Sequence, residues 1–479
     1  MNSASPQQFD VCIVGGGPAG SIAALRLALL GHRVCLFERS VFPRRQVGES
    51  LTKGIRPILD SLNLQQLVLR GALTPHKGQV LWAQPRPDLL TGDQMQDWLL
   101  VDRGEFDALL LRAAAAAGVS VLQPATVRTA NGGTCGWQIT AAAHDRSWPI
   151  EAAYLIDATG RAGFRHGRRE IVSPRTIAVC GHLRRQAGGD DILVEALPDG
   201  WCWGAPVPGG RLSAMVFLDS DRVAAVGREG LSAFFRAQLA RTELFNDLSR
   251  WPLAGPLLTR DATSYFAIEA MTATFARVGE ASCALDPLSS TGVEKAAQSA
   301  TFAAFAIHTM LEQPSRTDLC IRFYRDRQQE TISAHRTWAS EFYGSVARYA
   351  ERPFWRARSA QPGLADPRPT PSTTSTASTA PAAANFTLQT RVRLSEQARV
   401  VEEPCLVDNQ LTLRNALTHP NLNRPVAFLD DVALCPLLPG AANSTDVKSL
   451  IGVWSAHVPQ QKAYRIVRWL LDRQILEAN

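Results

Sequence analysis

The stretch VCIVGGGPAG, residues 11–20, sets glycines at positions 15, 17 and 20 directly behind four apolar residues. That spacing suits a chain that bends sharply and then meets a charged ligand with its backbone. Gly15 permits the tight turn, Gly17 lets the main chain approach a pyrophosphate, and Gly20 lets the following helix press against the strand. Pro18 and Ala19 open that helix, whose unpaired N–H groups carry partial positive charge. Glu38 ends the next apolar run, where a carboxylate accepts hydrogen bonds from a ribose, and Arg39 beside it is a further candidate for cofactor contact. An acid at position 38 favours an unphosphorylated ribose, hence FAD or NAD over NADP. A glycine-rich turn that binds nothing is the alternative.

These residues need a frame to hold them. Residues 11–14 read as a short buried strand, PAGSIAALRLALLG as a helix ended by Gly31, and RVCLFE (33–38) as the next strand. Together they form a βαβ unit. A second helix is expected over 104–117, then strands at VSVLQ, TCGWQITAAA and AAYLIDATG. Alternation such as RLSAMVFLD (211–219) predicts an antiparallel substrate-facing sheet, assembled from roughly 72–100 and 175–260. A long helix is expected to start at Thr291 or Gly292. The fold class is α/β: a Rossmann-like domain with an antiparallel β layer, plus a small mainly helical C-terminal domain. The boundaries are 1–365 for the main module, 366–384 for a linker rich in Pro, Ser, Thr and Ala, and 385–479 for the small domain.

Three further segments, FPRRQVGESL (42–51), VDRGEFDALLLRAAAAAGV (101–119) and DPLSSTGVEKA (286–296), resemble the flavoprotein monooxygenases that include flavin-dependent halogenases and hydroxylases. The resemblance spans about residues 9–345 and implies FAD as the cofactor. It implies that Arg44, Glu49 and Ser50 border the flavin, that Arg103 lies on its phosphate side, and that Asp286 holds ribityl or ribose hydroxyls. Where the family reads GD, this chain has Gly279-Glu280. A helix starting at Thr291-Gly292 would aim unpaired N–H groups at the flavin's pyrimidine side and favour negative charge there; an ordinary Ser/Thr cap is the alternative.

WCWGAP (201–206) matches a WxWxxP pattern of halogenases, with Trp201 and Trp203 on one face of a strand. The nearest match to a halogenase lysine is Lys77 in LTPHKGQVLW, out of register with FxxKxG, and Ser289 stands where tryptophan halogenases carry glutamate. These departures shift the reading toward hydroxylation. With its extra C-terminal domain the chain resembles flavoproteins that hydroxylate a peptidyl tryptophan during tryptophylquinone maturation, as in the quinohemoprotein amine dehydrogenase and lysine oxidase systems. The implied partners are a protein or peptide carrying tryptophan, O2, NAD(P)H or a partner flavin reductase, and a partner maturation enzyme. Glu49 or Lys77 would orient the indole N–H or take its proton. Halogenation of an aromatic substrate by reduced FAD is the alternative; a double-bond reductase and a non-catalytic scaffold are more distant ones. The C-terminal sequence resembles winged-helix peptide-recognition modules, which implies docking of a polypeptide; packing or dimerisation is the bland alternative.

Composition bounds the rest. Net charge is +6 with Lys and Arg dispersed along the chain, which speaks against nucleic acid. No apolar run approaches the ~18 residues of a membrane span, and MNSASPQQFD lacks the pattern of a secretion signal. Nine cysteines without a CxxC pair fit a reducing compartment, the cytoplasm, and no metal site is read from the spacing.

Overall fold

The computed structural model describes residues 6–360 and 386–478, apart from 93, 96, 144–145, 165–166, 187–190 and 443–444. The chain divides into two compact units, Met1–Pro362 and Gly363–Asn479. The stretch 366–384, expected as a linker, lies outside the described residues.

In the larger unit the glycine-rich segment follows the strand Gln7–Val14, which pairs in parallel with Val34–Phe37 and with Arg146–Asp157. Ser120–Leu122 extends the parallel sheet beyond Val34–Phe37. All of Val34–Phe37 is buried, as befits a strand covered on both faces. The helix Pro18–Leu29 joins the first two strands and ends before Gly31, whose φ of 92° suits glycine. The helix Arg103–Ala116 is capped by Asp102, which accepts from the Gly104 and Glu105 amides. Along Arg146–Asp157 the partner changes: Arg146–Ala152 pairs antiparallel with the 137–143 segment, and Leu155–Asp157 pairs in parallel with Phe275–Arg277.

A second sheet runs in the order 258–261, 176–184, 211–219, 200–207, 192–197, 78–81, 88–90. Its pairings are antiparallel except 78–81 with 192–197. Period-two alternation splits its side chains between two cores. Trp201, Trp203, Met215 and Phe217 face one side, where Trp82, Tyr343 and Trp355 join them. Cys202 and Val216 face the other, beneath Phe235 and Leu239 of the helix Gly227–Ala240. That helix corrects the expectation of sheet throughout 175–260: its apolar residues recur at helical spacing and cover the outer face.

The smaller unit builds a core of Leu450, Trp454, Ile466 and Leu470 from the helices Val447–Trp454 and Gln460–Asp472. Arg391–Leu394 pairs antiparallel with Thr445–Asp446 and Leu476–Ala478. Arg399–Val407 and Gln410–Thr418 form a hairpin whose turn residues Asp408 and Asn409 both have positive φ, as a tight two-residue turn requires. Among the described residues no helix is long and apolar enough to cross a membrane.

Candidate flavin site

The first βα turn is built by close approach. A Cβ on Gly15, at φ 109°, would lie 2.4 Å from the Ala158 carbonyl oxygen, and one on Gly20 would lie 1.9 Å from the Gly15 oxygen. Those two glycines are therefore needed for the fold. Gly17 differs: its φ is −69°, and a Cβ there would meet only the Arg44 guanidinium, at 3.5 Å. It caps the helix Pro18–Leu29 without a side-chain hydrogen bond, so first-turn N–H groups stay open. Glu38 is held beside them, accepting from Gly16 N at 2.8 Å and Ser40 N at 2.7 Å.

A cavity of about 820 Å³ begins at this turn. Its lining includes the expected Gly15, Gly17, Pro18, Ala19, Glu38, Arg39, Arg44, Glu49, Ser50, Arg103, Asp286 and Gly292. It continues to Trp201, Trp203, Met215 and Phe217 on the second sheet. Trp201 stacks on Phe217 with centroids 3.9 Å apart, so the tryptophan pair both packs the core and walls the cavity.

The basic groups are oriented by one buried acid. Asp107 takes the Arg103 fork at 3.0 and 3.2 Å and lies 3.7 Å from Arg44. Burial disfavours charge on Arg103, but Asp107 overrides it and raises the guanidinium pKa. Ser50 Oγ is buried on the cavity wall with no hydrogen-bond partner. An unpartnered buried hydroxyl on the wall can bond a bound group, and with the open space before Gly17 these residues fit FAD.

The helix Gly292–Glu312 presents a second uncapped N-terminus, with Gly292, Val293 and Ala296 on the cavity wall. Thr291 is not among the lining residues; its hydroxyl is 2.8 Å from Ser289 Oγ, and it does not cap the helix. Asp286 lines the cavity, but its carboxylate accepts from Leu288 N at 3.0 Å and from the Tyr343 hydroxyl at 3.2 Å. Burial pushes its pKa up. The Glu280 side chain pairs with Arg161 at 3.1 Å.

His335 accepts from Asp286 N at 2.9 Å, and burial pushes its pKa down from 6.5 to about 4. The unfolded chain then takes up this proton before the folded one, so stability is full above pH 6.5 and falls as pH drops toward about 4. Acid unfolding curves of His335→Gln should lose part of that slope; an unchanged slope refutes the assignment.

Glu49 is 1% exposed and accepts from Ser213 Oγ at 3.0 Å and Gly48 N at 2.9 Å, with His182 Nε2 at 3.2 Å. His182 and Ser213 escaped the sequence reading. They carry no motif and reach Glu49 only because the strands 176–184 and 211–219 pair, His182 opposite Ser213. Lys77 requires a correction: it is exposed just before Gly78–Leu81 and is absent from the described lining, which contains no lysine. Its carbonyl accepts from Ile192 N, which fixes this segment beside the strand 192–197.

Residues 8–172 match the family model described as an FAD binding domain. The chain is an FAD-dependent oxidoreductase. The tryptophan 2-halogenase of Chondromyces crocatus is 28% identical to this flavoprotein over 379 residues, 74% of this chain and 71% of that protein. The flavin-dependent halogenase CmlS superposes with a TM-score of 0.77 at 24% identity, covering 98% of this chain and 96% of its own. QhpG, described as a peptidyl tryptophan dihydroxylase essential for tryptophylquinone cofactor biogenesis, superposes at 0.72 and 24% identity, with 98% and 99% covered. At that identity the two structures speak for the fold.

Proposed function

We propose that this flavoprotein oxidises an electron-rich aromatic ring, using FAD along the Gly15–Gly20 turn, O2, and electrons from NAD(P)H or a partner flavin reductase. The observation that carries the reading is the continuity of one cavity from the dinucleotide turn to an aromatic wall, with Glu49 buried along it. Bound FAD would supply the two-electron chemistry with O2. The chain's residues do the rest. Gly17 and the helix beginning at Pro18 receive the pyrophosphate, and Glu38 the ribose. Trp203, Met215 and Phe217 exclude water and receive a flat ring. The open N-terminus at Gly292 favours negative charge on the cofactor. Glu49, steadied by Ser213 and beside His182, accepts the proton that the ring loses when it regains aromaticity.

Two products fit. Halogenation is the better supported by relatives, whose names are mostly those of halogenases. Hydroxylation of a tryptophan within a protein, as in tryptophylquinone biogenesis with a partner maturation enzyme, is favoured by the exposure of Lys77 away from the cavity. Incubation with reductase, O2, and indole or tryptophan-bearing peptides, with and without chloride or bromide, decides by product mass: a halogen increment or an oxygen increment. Lys77→Ala should stay within about twofold of the parent rate, as a surface substitution does. A collapse would assign Lys77 to halide transfer and support halogenation.

A further inference from the structure

Far along the two helices that open on the cavity, a different cluster forms. The helix Pro18–Leu29 starts at the cavity and ends three residues before His32. The helix Gly292–Glu312 also starts there and carries His308 and Glu312, four residues apart and so on one face. The helices pack together, with the Arg26 guanidinium 5.3 Å above the Phe305 ring. At this end His32 Nε2 lies 2.9 Å from His308 Nδ1, the rings edge to face with centroids 5.1 Å apart. One ligand atom from each of His32, His308 and Glu312 lies within 4.8 Å of the others.

We propose that His32, His308 and Glu312 form a binding site for a divalent transition-metal ion of the zinc type. Two imidazole nitrogens and one carboxylate oxygen suit such an ion and do not suit magnesium or calcium, which take oxygen ligands. Tetrahedral zinc, at ~2.0–2.1 Å from nitrogen, sets ligand atoms about 3.3 Å apart. The two nitrogens need to part by a few tenths of an ångström, and the exposed Glu312 carboxylate swings in from its present position. Water takes the fourth place. The ion would clip together the far ends of the two helices whose near ends receive the cofactor.

The test uses tag-free, FAD-loaded protein, stripped with a chelator and titrated with zinc chloride by calorimetry. The expected result is one zinc per chain and a higher Tm in zinc, with no Tm rise in magnesium. Glu312→Gln should weaken zinc binding roughly tenfold or more, and His308→Ala more strongly, while flavin absorbance stays unchanged. Glu312 is exposed, so its variant remains informative if His308→Ala fails to fold. Absence of stoichiometric uptake, or uptake unchanged in the variants, overturns the proposal.

Discussion

Gly17→Val should fold and come off the column colourless. The glycine sits at φ −69°, which valine tolerates, and a Cβ there would approach only the Arg44 guanidinium, at 3.5 Å. The added isopropyl group instead occupies the cavity where the backbone N–H groups meet a pyrophosphate. FAD affinity should fall at least about a hundredfold, roughly 3 kcal/mol at 1.4 kcal/mol per decade, with secondary structure by circular dichroism unchanged. Gly15→Ala is the contrast. Its Cβ would lie 2.4 Å from the Ala158 carbonyl oxygen at a φ of 109°, so it should lower the Tm as well. Retention of normal flavin absorbance by Gly17→Val would refute the placement of the cofactor.

The second large effect is expected at Glu49. Replacement by Gln keeps the shape but removes the charge and turns one acceptor into a donor, among Ser213 Oγ, His182 Nε2 and Gly48 N. Proton acceptance by a placed side chain typically contributes ~10²–10⁴-fold, so product formation should fall on that scale. The flavin spectrum should stay, because the glycine turn and the Arg103–Asp107 pair are untouched. Single-turnover product yield, measured beside flavin reduction, checks this. A rate within about threefold of the parent would leave Glu49 as a purely structural acid.

The dinucleotide turn was legible because its residues stand at fixed spacing in one short stretch of chain. Gly15, Gly17, Gly20, Gly31 and Glu38 lie within one βαβ unit: Gly15 and Gly31 take a positive φ, Gly20 faces the close Gly15 carbonyl, Glu38 ends a strand, and Gly17 leaves open space ahead of the helix. The helix start at Gly292 was legible for the same reason. Other features depended on which faces the fold covers. Alternation at 211–219 revealed a strand, but apolar residues near 235 belong to a helix, since one face of that sheet required an apolar cover.

The sequence by itself determined the FAD-binding turn, because a backbone that must take a positive φ or meet another backbone closely leaves glycine as its signature, whatever stands opposite. Only the tertiary structure decided what stands across from the cofactor. Strand pairing brings His182 and Ser213 to Glu49 from 133 and 164 positions away and leaves Lys77 exposed just ahead of its strand, while helix packing sets His32 against His308 across 276. Contacts of that kind depend on register and on which helix covers which face, and single residue types carry no local mark of either.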